Sequence, residues 1–95
     1  MPLVSIRHKV ANYAKWKRGV RNFARFRKAS GEKCFKVFRS SSVPNDLTVL
    51  CSWSTSAKMK KFLKSAELRK AMKAAGVVSK PEVRFFSAAE DLSVR

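Results

Sequence analysis

Apolar and polar side chains alternate at the start of the chain. In residues 3–10, LVSIRHKV, Val4, Ile6, His8 and Val10 fall on one face and Leu3, Ser5, Arg7 and Lys9 on the other. A period of two predicts a strand half buried on its apolar side. Asn12 then stands where a helix N-cap belongs. From 13 to 30 the period becomes helical: Tyr13, Trp16, Val20, Phe23 and Phe26 recur at steps of three and four and form one apolar stripe. Gly31 predicts the stop, because glycine takes positive φ freely. Gly19, inside the stripe's helix, weakens the helix or lets another backbone approach closely. Residues 33–39 (KCFKVFR) and 47–53 (LTVLCSW) predict two further strands, rich in β-branched and aromatic side chains. The polar SSSVPND between them suits a loose antiparallel hairpin.

Ser54, Thr55 and Ser56 offer caps for the next helix, whose apolar face is Met59, Phe62 and Leu63. Ser65 predicts a break and a new helical segment. Glu67 stands in its first turn, Leu68, Met72 and Ala75 face inward, and Gly76 is the stop. Pro81 precedes a last strand over 82–88, and residues 89–95 read as a polar tail. The order β-α-β-β-α-β predicts a ferredoxin-like α+β fold, with a four-stranded antiparallel sheet and both helical regions on one face. With Val4, Ile6, Val49 and Trp53 toward the helices, Ser5, Arg7, Thr48, Leu50, Ser52, Arg84 and Phe86 face away. Leu50 and Phe86 are out of place on a solvated surface and suit packing against a second copy of the chain.

Composition supports one folded domain over residues 1–95, with a core of about 3–88. Apolar residues make 45% of the chain, and ten aromatic residues (Phe 7, Trp 2, Tyr 1) supply enough area for a core. The signs of charge are unbalanced: 22 Lys and Arg against 6 Asp and Glu leave +16. Such a field draws polyanions in a salt-dependent way, or serves only as a solvated surface. No apolar run approaches the roughly 20 residues of a membrane span, and no basic-then-apolar leader opens the sequence. The expectation is a cytoplasmic protein. Two cysteines and one histidine cannot supply a four-ligand zinc site, and no metal or cofactor is expected.

Three stretches carry a resemblance. RHKVANYAKWK is similar to the opening of small dimeric α+β barrel proteins, the superfamily that includes the antibiotic-biosynthesis-monooxygenase-like (ABM-like) proteins. VLCSWSTSAKMKKFLKSAELRKAMKAAGV resembles that group's third strand and second helical region, and VSKPEVRFF its last strand. The resemblance implies a homodimer whose two sheets close into a barrel with the helices outside, and a small-molecule pocket between each sheet and its own helices. It specifies fold more than activity. One branch of the superfamily degrades haem with an iron-ligating His in the second helical region and a Trp earlier on it. By the spacing from FLKS, Met72 stands at that His position and Phe62 at that Trp position, and a Met there speaks against haem degradation. Relatives also often carry an acid on each side of the third-strand Trp, where Ser52 and Ser54 flank Trp53 here.

The candidate chemistry is sparse. His8, the single histidine, is the candidate catalytic residue, a proton relay near neutral pH if it lines the pocket, or otherwise a strand-end side chain bonded to backbone or water. Tyr13, Trp16, Trp53, Phe62 and Met72 are candidate pocket residues for an apolar or aromatic ligand, or simply core. Cys34 and Cys51 read as buried free thiols on neighbouring strands, offset in register, with Cys51 nearer Lys36 and Cys34 nearer Trp53. The alternative site is basic. Lys15, Lys17, Arg18, Arg21, Arg25 and Lys28 on the first helix could join Lys58, Lys60, Lys61 and Lys64 on the second and hold nucleic acid or another polyanion. No phosphate loop, His-Glu-x-x-His pattern or Gly-x-Ser-x-Gly elbow is present. Any catalysis would then resemble cofactor-free oxygen chemistry or a proton-shuttling cyclisation. The activity stays open at this level.

Overall fold

The computed structural model describes residues 2–94. Its elements run β1 (Leu3–Lys9), α1 (Tyr13–Asn22), α2 (Ala24–Ala29), β2 (Glu32–Arg39), β3 (Asp46–Trp53), α3 (Ser56–Leu63), α4 (Ala66–Ala74) and β4 (Glu82–Phe86). The four strands form one antiparallel sheet in the order β2-β3-β1-β4. This is the ferredoxin-like arrangement expected from the pattern, with the two central strands contributed by opposite halves of the chain.

The caps explain where the helices begin. Asn12 Oδ1 accepts from the Lys15 N–H, Thr55 Oγ1 from the Lys58 N–H and Ser65 Oγ from the Leu68 N–H, so each helical region opens on a satisfied donor. Gly31 (φ 106°) and Gly76 (φ 84°) close the two helical regions in the left-handed region.

Three expectations need correction. The single helix over 13–30 is two helices, interrupted at Phe23 (φ −92°, ψ 0°). The i→i−4 ladder nevertheless passes through the break, from Phe23 N–H to Gly19 O and from Arg27 N–H to Phe23 O. Gly19 and Asn22 weaken the turn just before it, and the spacing of apolar positions is blind to so small a bend. The last strand ends at Phe86 rather than 88, and residues 87–94 form no regular element; Arg95, the last residue of the expected tail, lies outside the described residues. Cys34 is exposed rather than buried, because it lies on the outer face of an edge strand. The offset of the two thiols stands, but a register irregularity between Glu32 and Cys34 sets Cys51 opposite Phe35 and Cys34 opposite Ser52. Both are free.

Register sorts the side chains between the two faces. Val4, Ile6 and His8 of β1 lie beside Cys51, Val49 and Leu47 of β3, and Phe35 and Val37 of β2 continue those rows. Against this face pack Trp16, Met59, Phe62 and Ala75 from the helices. Trp53, Leu47, Val4 and Val49 are essentially sealed from solvent, each burial contributing about 1.5–3 kcal/mol. The opposite face carries the rows Phe86–Leu3–Ser52–Cys34, Arg84–Ser5–Leu50–Lys36 and Glu82–Arg7–Thr48–Phe38. Arg7 grips Asp46 there through two hydrogen bonds of 3.1 and 2.8 Å. Phe38 and Phe86 stand about half exposed on this face, and every residue of β4 is exposed.

Helices α1 and α4 meet at Gly19. A Cβ there would come within 2.9 Å of the Ala75 Cβ, and neither a methyl nor a backbone yields easily. Gly19→Ala is therefore expected to lose about 1 kcal/mol, because overpacking of about 1–3 kcal/mol outweighs a helix gain of about 1 kcal/mol. Urea unfolding of Gly19→Ala, Ala75→Gly and the double variant checks this, with recovery of stability in the pair expected. An additive pair would show that the contact does not limit the approach.

Candidate functional site

Between the sheet and the helices lies a cavity of about 70 Å³. Its floor is Val4, Ile6 and His8 of β1, Val49, Cys51 and Trp53 of β3 and Phe35 of β2. Its walls are Trp16, Val20, Phe23 and Phe62, and α4 roofs it with Leu68, Ala71 and Met72. On this measure a water takes about 10–15 Å³ and an engineered benzene site about 150 Å³. The cavity thus admits water-sized groups as it stands, and a whole ring enters only if a wall moves. The roof is the part most able to move, since no residue of α4 is buried.

Four of the five expected pocket residues line this space: Trp16, Trp53, Phe62 and Met72, together with His8. Tyr13 does not. It opens α1 one turn before Trp16, stacks on that indole at 5.9 Å between ring centres, and has the Arg39 guanidinium 4.1 Å from its ring centre. Trp16 stands between it and the cavity side of the sheet, so Tyr13 belongs to the rim. Phe62 is wedged between Trp53 (4.7 Å) and the pair Phe23 and Phe26 (6.0 and 5.8 Å), giving the wall a continuous aromatic surface.

The polar atoms are few and unusual. His8 is 5% exposed, packs edge-on against Trp16 at 5.8 Å, and among the described residues neither of its ring nitrogens meets a hydrogen-bond partner. Burial lowers its pKa from the ordinary value of 6.5, against a weaker upward pull from Asp46, so the imidazole is neutral at pH 7. Asp46 does not orient the ring, because its carboxylate is committed to Arg7, which holds it below the usual carboxylate range. The Trp53 indole N–H and the Arg27 Nε–H are likewise buried without an acceptor among the described residues. Burial pushes the Cys51 thiol up to about 12, which leaves it protonated and unreactive.

Arg27 and Glu32 escape the sequence pattern. Arg27 Nη1 bonds Glu32 Oε1 at 2.5 Å, its Nη2 donates to the Val20 carbonyl at 3.0 Å, and its guanidinium lies 4.3 Å from the centre of the Phe35 ring. Burial raises the Glu32 pKa against the pull of Arg27. The one available signal was spacing: Arg27 stands four residues after Phe23 and seven after Val20, on the positions of the apolar stripe itself.

The ten residues of the alternative site, Lys15, Lys17, Arg18, Arg21, Arg25, Lys28, Lys58, Lys60, Lys61 and Lys64, are all exposed. The neighbouring aromatic side chains Trp16, Phe23, Phe26 and Phe62 turn toward the core. This surface presents charge without stacking platforms. Among the described residues no three His, Cys, Asp or Glu side chains gather as a metal site, and no helix is long and apolar enough to cross a membrane.

The lowered pKa of His8 has a sign that can be checked. Between the folded value and about 6.5 the unfolded chain binds the proton and the folded chain does not, so stability rises with pH and is lost as pH falls through that window. Stability curves of the wild type and His8→Gln between pH 7.5 and 5 should diverge at the neutral end and converge toward acid. Parallel curves would mean that His8 titrates normally in the folded protein. Asp46, whose pKa is lowered, acts only at more acid pH.

No protein-family model matches the chain. No curated protein matches it closely enough to count. Solved structures do. SnoaB, a cofactor-independent oxygenase from Streptomyces nogalater, superposes with a TM-score of 0.77 at 17% identity, over 96% of this chain and 95% of that one. A candidate antibiotic biosynthesis monooxygenase from Bordetella bronchiseptica gives 0.76 at 20% identity, over 94% and 98%. Rv0793 from Mycobacterium tuberculosis gives 0.67 at 9% identity, over 98% and 100%. The chain therefore has the α+β fold of the antibiotic-biosynthesis-monooxygenase-like proteins, as the resemblance of its strands and helices implied.

Proposed function

We propose that this chain binds a small apolar or aromatic molecule in the cavity between its sheet and helices and acts on it without a cofactor, as an oxygenase or cyclase. The observation that carries the reading is a neutral, buried His8, its ring nitrogens unpartnered among the described residues, in the floor of a largely apolar cavity. A neutral imidazole in such a place accepts a proton from a phenol, enol or activated methylene. The resulting carbanion or phenolate is electron-rich enough to react with O₂ directly, and the water-poor wall limits side reactions. In the oxygenase form a methylene and O₂ become a carbonyl and water, with His8 returning its proton to the departing oxygen. The Streptomyces nogalater protein of similar fold is named a cofactor-independent oxygenase. Free cysteines suit a reducing, cytoplasmic compartment.

The same reading includes a homodimer joined through the outer sheet face. Leu3, Leu50, Phe38 and Phe86 lie on that face, with Phe38 55% and Phe86 46% exposed. A second copy would cover them, and burial in so small a chain is otherwise marginal. The exposed basic helices need no ligand to explain them, since they are ordinary solvated faces.

Two measurements decide these points. Oxygen uptake across a panel of phenols and activated-methylene ketones should identify a substrate, and His8→Ala should slow its turnover by about 100-fold or more. Unchanged turnover would remove His8 from the chemistry. Light scattering at micromolar concentration should give a dimer mass for the wild type and a monomer mass for Leu50→Glu. A clean monomer mass for the wild type would end the dimer reading.

A further inference from the structure

Most sides of the cavity are closed by structure that does not part easily. Its floor is hydrogen-bonded sheet. Buried Trp16 pins α1 to that floor, and buried Met59 and Phe62 pin α3. On the α2 side Arg27 is bound to Glu32 of β2. The roof is different. Leu68, Ala71 and Met72 of α4 line the cavity, yet each keeps part of its surface in solvent.

Helix α4 spans two points where the backbone can turn. Before it, Ser65 is extended (φ −69°, ψ 144°), directly after the C-cap of α3. After it, Gly76 turns with φ 84°. The chain is then tied to the end of β1, where Ala11 N–H donates to Gly76 O and Val78 N–H to Lys9 O, both at 2.9 Å. A few residues at element ends are enough to absorb a change of helix angle. Against α1 the contact is at the C-cap, where the Ala75 methyl meets Gly19. Gly19 has no side chain to interlock there, so the contact is a pivot and not a clasp.

The seam between α1 and α4 also has an outer side. A surface groove follows it, and Gly19, Phe23, Ala71 and Ala75 line both this groove and the cavity. Groove and cavity are thus two sides of one thin wall, made of an aromatic ring, two methyls and a glycine.

We propose that this seam is the portal of the cavity and that α4 is its lid, swinging Leu68 and Met72 away from Phe23 about the Ala75–Gly19 contact, with Ser65 and Gly76 as hinges. The proposal rests on the cavity of the reading above and on none of its chemistry. The swing uncovers little apolar area, because the roof side chains already meet solvent. In a dimer joined through the outer sheet face the helices stay outside, and the seam stays free.

The two tryptophans of the chain, Trp16 and Trp53, are both buried and both line the cavity. Their fluorescence therefore reports what passes the portal. The probe is acrylamide, a small neutral quencher that acts by contact. Asn22 and Ala71 stand on opposite banks of the groove. In Cys34→Ser/Asn22→Cys/Ala71→Cys, a two-carbon bis-methanethiosulfonate joins the banks through disulfides. Cys34 is replaced because it is exposed, whereas the buried Cys51 stays protonated. The bridge should cut acrylamide quenching at least about threefold, and dithiothreitol should restore it. Methyl methanethiosulfonate, which caps the same thiols without joining them, should leave quenching near the wild-type value. Leu68→Ala thins the roof and should raise quenching at least about twofold; it carries the test if the bridge does not form. Quenching that the bridge leaves unchanged, that the caps reduce as far as the bridge does, or that Leu68→Ala does not raise would overturn the lid. So would a wild type that acrylamide does not quench. The outcome is separable from the activity: a lid that opens in a chain with no oxygen-consuming substrate keeps the portal and loses the oxygenase reading.

Discussion

Strand β3 is the constraint on which the rest depends. Its inward row, Leu47, Val49, Cys51 and Trp53, is buried along its whole length, flanked by β1 on one side and β2 on the other. Two helical regions from different parts of the chain must cover this one row, and they do so unequally. Trp16 of α1 and Met59 and Phe62 of α3 are buried against it, whereas α4 buries nothing of its own. A close-packed interior leaves few voids larger than a water. The space beneath α4 is what remains when the third-strand row is covered from one side more firmly than from the other.

That space concentrates a cost. His8, Trp53 and Arg27 line it, and each has a buried polar atom without a partner among the described residues; an unmet buried donor or acceptor costs about 1–3 kcal/mol. The charged groups are paired: Asp46 accepts two hydrogen bonds from Arg7 on the outer sheet face, and Glu32 accepts one from Arg27. Among the described residues, three of the four side chains with such atoms, His8, Arg27 and Trp53, line this cavity, and the fourth, Ser54, does not. The aromatic wall of Trp53, Phe62 and Phe23 would meet the ring of a molecule entering it, and the polar atoms its oxygens or protons.

The large positive charge belongs to a different layer of the protein. Basic side chains stand outward on both helical regions while the aromatic stripe of the same helices turns inward. The outer sheet face is unlike either. It alternates Phe86, Leu3, Leu50 and Phe38 with charged and small polar residues. Such a mixture can pair with a copy of itself, whereas the helix faces, of one sign, repel theirs.

The amino-acid sequence alone determined the strand–helix order, the inward and outward faces of each strand, the caps at Asn12 and Ser65 and the glycine stops, and it narrowed the remaining cap to Ser54, Thr55 or Ser56, of which the structure uses Thr55. All of these depend on neighbours in sequence, through backbone geometry and local hydrogen bonds. It also brought His8, Trp16, Trp53, Phe62 and Met72 to one side of the sheet, because a strand's alternation and a helix's stripe each have a fixed sense. Tertiary structure decided what spacing cannot carry: the bend at Phe23, the displacement of Tyr13 to the rim, and the exposure of Cys34 through its place on an edge strand. It alone joined Arg27 to Glu32 and set Glu32 beside Trp53, since that contact depends on how α2 leads into β2 and on the shift of register between Glu32 and Cys34. A pattern of greasy positions records which way a side chain points; which partner it meets there is settled only when distant segments pack.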